Sequence, residues 1–322
     1  MILRHILAMA LTAVMTMGVS AQTFPDRPVK IITPYPPGTG PDTFMRLVGE
    51  RLTRMWGQQV VIENRSGGNG FIAIDVAKRA APDGYTYIQL DATPMTVFPH
   101  LFKKLPFDPA KDFESVAGMY RTYYYVTVAA GSPWNTVGDL LAAARAKPGK
   151  ISYGSSGLGG NLHLGGAMLE KLSNVKMNHV PYKATTQIYI DVSSGEVDWA
   201  VGTASTTQPM LQAGKIKYLA VTAPKRFPLF PNIPTVAESQ GPNDYELQTW
   251  VSMFAPRGVP KAILNKVNAD VGKVLQDPEV RERFRVVGFE PMILTPVELN
   301  SLVVSDLASY GKLIVPMNIS LD

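Results

Sequence analysis

Val29-Lys30-Ile31-Ile32-Thr33-Pro34-Tyr35-Pro36-Pro37-Gly38-Thr39-Gly40-Pro41-Asp42 runs from an apolar strand through a proline- and glycine-rich loop into a helix. The β-branched run Val29 to Thr33 predicts the strand. Asp42 reads as the N-cap of a helix that places Phe44, Leu47, Val48 and Leu52 on one face. Backbone N–H groups at such a helix start have no partner within the helix, and the glycines let a ligand come close to them. With no basic residue in the loop, the stretch is a seat for a small anion, although an ordinary strand-to-helix turn would share the pattern.

The same alternation continues outward from this unit. Apolar runs at 60–63, 86–90, 124–129, 151–153, 177–180, 199–201 and 218–221 are interleaved with helical patterns at 71–79, 140–147, 162–172, 188–193 and 210–213. This predicts an α/β fold of mostly parallel sheets with helices on both faces. Three helical stretches, 261–275, 279–286 and 297–312, follow. The last opens on a capping box, with Thr295 as cap, Pro296 in the first turn and Glu298 three residues on. Proline-rich connections at 223–234 and 241–244 read as surface or inter-lobe links.

Arg4 and His5, an apolar stretch over 6–19, and the small residues of Val19-Ser20-Ala21 before Gln22 form a secretory signal pattern. The apolar stretch is too short to span a bilayer. Cysteine is absent, which removes a lipid anchor, disulfides, thiolate nucleophiles and cysteine metal sites together. A soluble periplasmic protein is therefore expected, with residues 1–21 removed. Roughly 300 residues then remain, enough for two lobes of about 150 each. The formal net charge of +5 is spread along the chain and lacks the clustered stripe that nucleic acid would need.

A second loop of the same kind, Tyr153-Gly154-Ser155-Ser156-Gly157-Leu158-Gly159-Gly160-Asn161-Leu162-His163, follows a strand and opens a helix. Its donors are backbone amides, two serine hydroxyls and the Asn161 amide. Two such loops suit two α/β lobes that present the C-terminal ends of their strands to one cleft. The glycine turn at 64–70 has similar chemistry, but nothing in the sequence places it at the cleft. No phosphate-loop pattern occurs, and Thr43 stands where a dinucleotide fingerprint needs its third glycine. Leu158 breaks the nucleophile-elbow pattern, so a triad of Ser156, His163 and Asp198 rests on composition alone. His100, His163 and His179 show no metal-ligand spacing, and no cofactor is expected. Of the carboxylate pairs that could serve as acid and base, Asp42 with Asp91 and Glu196 with Asp198, the second reads better as a turn and a strand start.

Along the chain run, in order, Pro34-Tyr35-Pro36-Pro37-Gly38, Glu63-Asn64-Arg65, Ala81-Pro82-Asp83-Gly84-Tyr85, Leu105-Pro106-Phe107-Asp108, Tyr153-Gly154-Ser155-Ser156-Gly157, His179-Val180-Pro181-Tyr182-Lys183, Gly195-Glu196-Val197-Asp198 and Pro231-Asn232-Ile233-Pro234. Together these motifs resemble the Bug-type receptors, the extracytoplasmic solute-binding proteins of tripartite tricarboxylate transporters. The resemblance implies a two-lobed, type II-like periplasmic-binding-protein fold, no catalysis, and a small carboxylate held between the lobes. The expected division is 22–122 plus 244–322 for lobe 1 and 123–243 for lobe 2, with hinges near 122–126 and 241–246. Carried onto this chain, the first grip is Tyr35, Pro37, Gly38, Thr39, Gly40 and Asp42, with Thr93 beside it. The second lies around Tyr182, Ala184 and Thr185, while Ser155, Ser156, Gly159, Asn161 and His163 line the cleft.

Three departures stand out: Thr39 for a second glycine, Ala184 after Tyr-Lys, and Val201-Gly202-Thr203 where an acid and an amide are common. Losing that acid makes the pocket less suited to an amino-acid ammonium, and leaves Thr203 and Ser205 as neutral donors. Tyr120, Tyr123, Tyr124, Tyr125 and Trp250 read either as walls for a flat ligand or as core. The expectation is a monomeric receptor for a dicarboxylate or aromatic carboxylate of the terephthalate type, delivering it to integral-membrane transporter subunits. The alternatives are a secreted hydrolase using Ser155 or Ser156, and a sensory binding protein for a membrane kinase.

Overall fold

The computed structural model describes residues 24–317 and 320–321; the signal segment expected at 1–21 lies outside the described residues. β1 (Val29–Thr33) lies between β2 (Val60–Asn64) and β3 (Thr86–Asp91), and both pairings are parallel. β3 then pairs antiparallel with β9 (Gln248–Pro256), which pairs antiparallel with the first part of β4 (Phe113–Ala129). The register on β4 changes partner at Tyr123/Tyr124. From Tyr124 onward β4 pairs with β7 (Trp199–Thr203) and β8 (Ile216–Val221), and β7 continues in parallel to β5 (Ser152–Ser155) and β6 (Asn178–Pro181). The result is a two-lobed α/β protein threaded by one 17-residue strand.

Each lobe has its own apolar core. Val126, Leu140, Trp199 and Val221 belong to one; Ile31, Val48, Met253 and Phe284 to another, with Ile74, Leu90 and Trp250 in an adjoining cluster. The sheet is mixed, not mostly parallel as the sequence suggested. Among β1 to β9 the antiparallel pairings are those of β9 with β3 and of β4 with β9, β7 and β8. Phe113-Glu114-Ser115-Val116-Ala117-Gly118-Met119 carries no clean alternation, because glycine and serine sit where chains pack closely. A Cβ on Gly118 would stand 2.3 Å from the Met292 carbonyl oxygen, beside β10 (Glu290–Pro291), which pairs with β4.

Strand direction sorts the helices. β1, β2, β5, β6 and β7 lead at their C-terminal ends into α1 (Gly40–Trp56), α2 (Phe71–Lys78), α6 (Asn161–Ser173), α7 (Thr185–Ser194) and α8 (Ala204–Gln212). β4 and β9 run outward to the far ends, where α5 (Val137–Ala146) and α9 (Lys261–Gln276) begin; α4 (Pro109–Asp112) precedes β4 at the far end of lobe 1. α10 (Pro278–Arg285) and α11 (Pro296–Ile314) complete the chain, and α3 (Phe98–Leu101) follows a π-helical turn at Thr93–Val97.

Candidate functional site

The first turn of α1 is built by a buried acid. Thr39, not Asp42, is the N-cap, and Thr39 makes no side-chain cap; Asp42 is the third helical residue. Its Oδ2 accepts the Gly38 amide at 2.8 Å and the Arg46 guanidinium at 3.1 Å, and its Oδ1 accepts the Asn64 side-chain N–H at 2.7 Å. The same Asn64 amide donates to the Tyr35 carbonyl, which ties β2 to the loop. Burial pushes the Asp42 carboxyl up, but the bonds from Arg46, Asn64 and Gly38 outweigh it and hold the group below the usual carboxylate range. Gly38 has φ +81°, a conformation that suits glycine, and its amide is already used by Asp42. The expected cap is thus a brace one turn inside the helix. It leaves the amides at the helix start itself without a side-chain acceptor.

Asp91, at the C-terminal end of β3, is the residue the sequence reading undervalued. Its Oδ2 accepts the Tyr35 hydroxyl at 3.0 Å and its Oδ1 accepts the Thr93 amide at 2.8 Å. Together with Pro34, Asn69, Gly70, Pro94 and Phe98 these residues line a cavity of about 200 Å³. The glycine turn at 64–70, which the sequence could not place, is therefore part of the cleft wall. Across the cleft, Asn161, the first residue of α6, donates to Thr93 Oγ1 at 3.4 Å. Burial drives the Asp91 carboxyl upward even though Thr93 and Tyr35 pull it down; burial, and then Asp91, push the Tyr35 phenol well up.

Other predicted residues serve the scaffold. Ser155 is buried and its Oγ lies 2.6 Å from His179 Nε2. His163 Nδ1 accepts the Gly159 amide at 3.0 Å, its ring centroid lies 4.2 Å from that of the tilted His179 ring, and burial followed by the neighbouring His179 lowers its pKa to about 4. Gly159, with φ +74°, packs on Leu101 so closely that a Cβ would meet its Cδ1 at 2.3 Å. The triad of Ser156, His163 and Asp198 is not assembled: Asp198 accepts the Ser152 amide at 2.7 Å and the Ser152 hydroxyl at 2.8 Å, and Ser156 is exposed on its loop. Tyr182 turns its hydroxyl to Asp191 at 2.7 Å. Trp250 is no cleft wall. It is 1% exposed, packs near Phe254 and donates its indole N–H to Asp306 at 2.7 Å. Tyr120 stacks on Phe289 at 4.1 Å, Tyr123 packs on Phe227 and Tyr125 on Tyr218, so these rings belong to the cores. Tyr124 is buried too, with its hydroxyl beside Asn161.

Pro37, Gly40, Ala184, Thr185, Thr203 and Ser205 sit at helix starts. Gly40 begins α1 just after Pro37, Ala184 caps α7 ahead of Thr185, and Thr203 caps α8 ahead of Ser205. At α1, α2, α6, α7 and α8 no side chain accepts the first N–H groups; the Thr203 hydroxyl turns to Ser205 and Thr206 instead. At α2 the first amide, that of Phe71, already donates to the Gly68 carbonyl; the starts of α1, α6, α7 and α8 keep free backbone donors and the positive end of a helix dipole. Such an array can hold an anion with no cationic side chain.

A two-lobed α/β chain with unfilled donors at the strand ends is the architecture of a solute-binding protein. Residues 44–319 match the model of the tripartite tricarboxylate transporter family receptor, and the chain belongs to that family. Among its relatives is a "UPF0065 protein in tcbD-tcbE intergenic region" of Pseudomonas sp. strain P51, 33% identical over 96% of this chain and 92% of the relative. Two solved structures are similar. One is an R. palustris protein with adipate, 32% identical with a TM-score of 0.79, covering 90% of this chain and 97% of that one. The other is MatC from Rhodopseudomonas palustris with bound malate, 28% identical with a TM-score of 0.76, covering 90% of this chain and 100% of that one.

Proposed function

We propose that the chain is a periplasmic receptor that captures a small carboxylate between its lobes and delivers it to a membrane transporter of the tripartite tricarboxylate type, without catalysing a reaction. The observation that carries this reading is the set of four uncapped helix starts, those of α1, α6, α7 and α8, at the ends of parallel strands in both lobes. A carboxylate brought there would complete bonds that the protein leaves open, each worth about 1.5–3 kcal/mol. The adipate and malate bound by two relatives support the same ligand chemistry. The lobes are proposed to divide at 122/123 and 243/244. The switch of β4 partners at Tyr123/Tyr124 supports that division and a hinge at residues 122–126.

The test is a panel of mono- and dicarboxylates, aliphatic and aromatic, read by thermal shift and calorimetry. A rise in melting temperature with stoichiometric binding of one panel member is expected. If none binds and an ester is turned over instead, the receptor reading fails.

A further inference from the structure

The donors at the helix starts account for a ligand carboxylate, but the cavity beside them is built for the opposite charge. Asp91 lines it, and no ion pair of Asp91 exists among the described residues. The groups that act on its carboxyl are the Thr93 amide and side chain and the Tyr35 hydroxyl, and the charged or titratable neighbours that feel it are Tyr35, Tyr120, Tyr124 and Tyr310. Every one of these is a phenol, and none is a cation. Opposite, Asn161 directs its amide N–H to Thr93, while its Oδ1 is sealed from solvent with no donor. The cavity wall therefore holds an acid without a counter-charge, and Asn161 meets its edge only through Thr93.

That deficit is met by a group that is positively charged and carries N–H donors. We propose that Asp91 is a specificity-determining residue and receives a ligand amine, so that the bound solute is an amino carboxylate whose acid end lies at the uncapped helix starts and whose ammonium lies in the cavity against Asp91. This rests on the receptor reading above. The Val201-Gly202-Thr203 stretch lacks an acid, yet the ammonium partner is supplied from the other lobe by β3. A plain dicarboxylate is disfavoured at this corner, because its second carboxylate would face an unneutralised acid. Burial, which raises the Asp91 carboxyl, opposes its charge, and an arriving ammonium offsets that cost.

Matched ligands test this on the wild-type protein: aspartate, malate and succinate; glutamate and glutarate; 4-(aminomethyl)benzoate and 4-methylbenzoate, each titrated by calorimetry. Within at least one skeleton the amine is expected to bind ten-fold or more tighter than its partner, and Asp91→Asn, which keeps a side-chain acceptor for the Thr93 amide, is expected to erase that preference while its melting temperature confirms folding. If the best binder is a carboxylate lacking an amine, the Asp91 proposal is overturned and the carboxylate-receptor reading stands. If no member binds, the receptor reading itself falls. A preference for the amine that survives in Asp91→Asn also overturns the proposal.

Discussion

Helices that begin at the cleft and helices that begin at the far ends of the lobes start differently. α4, α5, α10 and α11 open on Asp108, Thr136, Asp277 and Thr295, whose side chains accept the first amides; α5 and α11 add complete capping boxes. α1, α2, α6, α7 and α8 open on Thr39, Gly70, Gly160, Ala184 and Thr203 with no such bond. α9 stands apart, starting far from the cleft on Pro260 without a side-chain cap. A cap is worth about 1 kcal/mol over alanine and a few tenths over glycine, so leaving the starts of α1, α6, α7 and α8 open sacrifices stability at the place where a ligand can supply the missing acceptor.

Installing a cap at the cleft is the sharpest way to break this comparison. Gly160 has φ −73°, and a Cβ there would meet nothing closer than Ser156 Oγ at 3.7 Å, so Gly160→Asp fits. It should raise stability by a few tenths of a kcal/mol in denaturant unfolding, since glycine is already a fair cap, and weaken the best carboxylate more than ~100-fold in calorimetry, because the new acid occupies the seat and repels the ligand. Unchanged affinity would show that the start of α6 is not used.

Removing the brace of α1 comes next. Asp42→Ala frees the Gly38 amide, Asn64 and Arg46 at once. A loss of about 2–3 kcal/mol in unfolding is expected, with weaker ligand binding because the loop 35–39 loses its anchor. Weakened binding with unchanged stability would instead mean that Asp42 meets the ligand directly.

Acid should loosen the base of the second lobe's glycine loop. The His163 pKa falls from 6.5 to about 4, so the folded state resists protonation while the unfolded chain accepts it. The contribution is complete above pH 6.5 and is lost as pH falls toward 4, reaching up to about 3 kcal/mol at the low end and less than half of that near pH 5.5. Stability measured against pH should flatten over this window in His163→Gln.

The smallest expected effect is on a far-end cap. Thr295→Ala should cost about 1 kcal/mol and leave carboxylate affinity unchanged, since α11 starts away from the cleft. A change in affinity would couple α11 to the site.

Local chemistry made much of the molecule legible. The β1 run, the apolar face of α1, both glycine loops and the Thr295 capping box follow from the residues adjoining them, because strand alternation, helical spacing and capping act within a few positions. The failures share one cause. β9 and the first half of β4 are strands through their pairings with each other, and those partners lie more than a hundred residues apart. Asp42 looked like a cap because its neighbours on both sides fit one. Its place inside the first turn depends on where the loop bends, which Asn64 of the next strand helps to fix. Trp250 read equally as wall or core, and the indole bond to Asp306 on α11 places it in the core.

The α/β alternation, the two glycine loops, the absence of cysteine and of a cationic loop residue, and the family motifs are all written in the chain, since each is carried by residue type and short spacing. Only the tertiary structure decided that Asp91 stands beside Tyr35 and Thr93 and opposite Asn161. Those four residues come from three strand ends in two lobes. The sheet order that joins them is set by long-range packing, which no local pattern encodes.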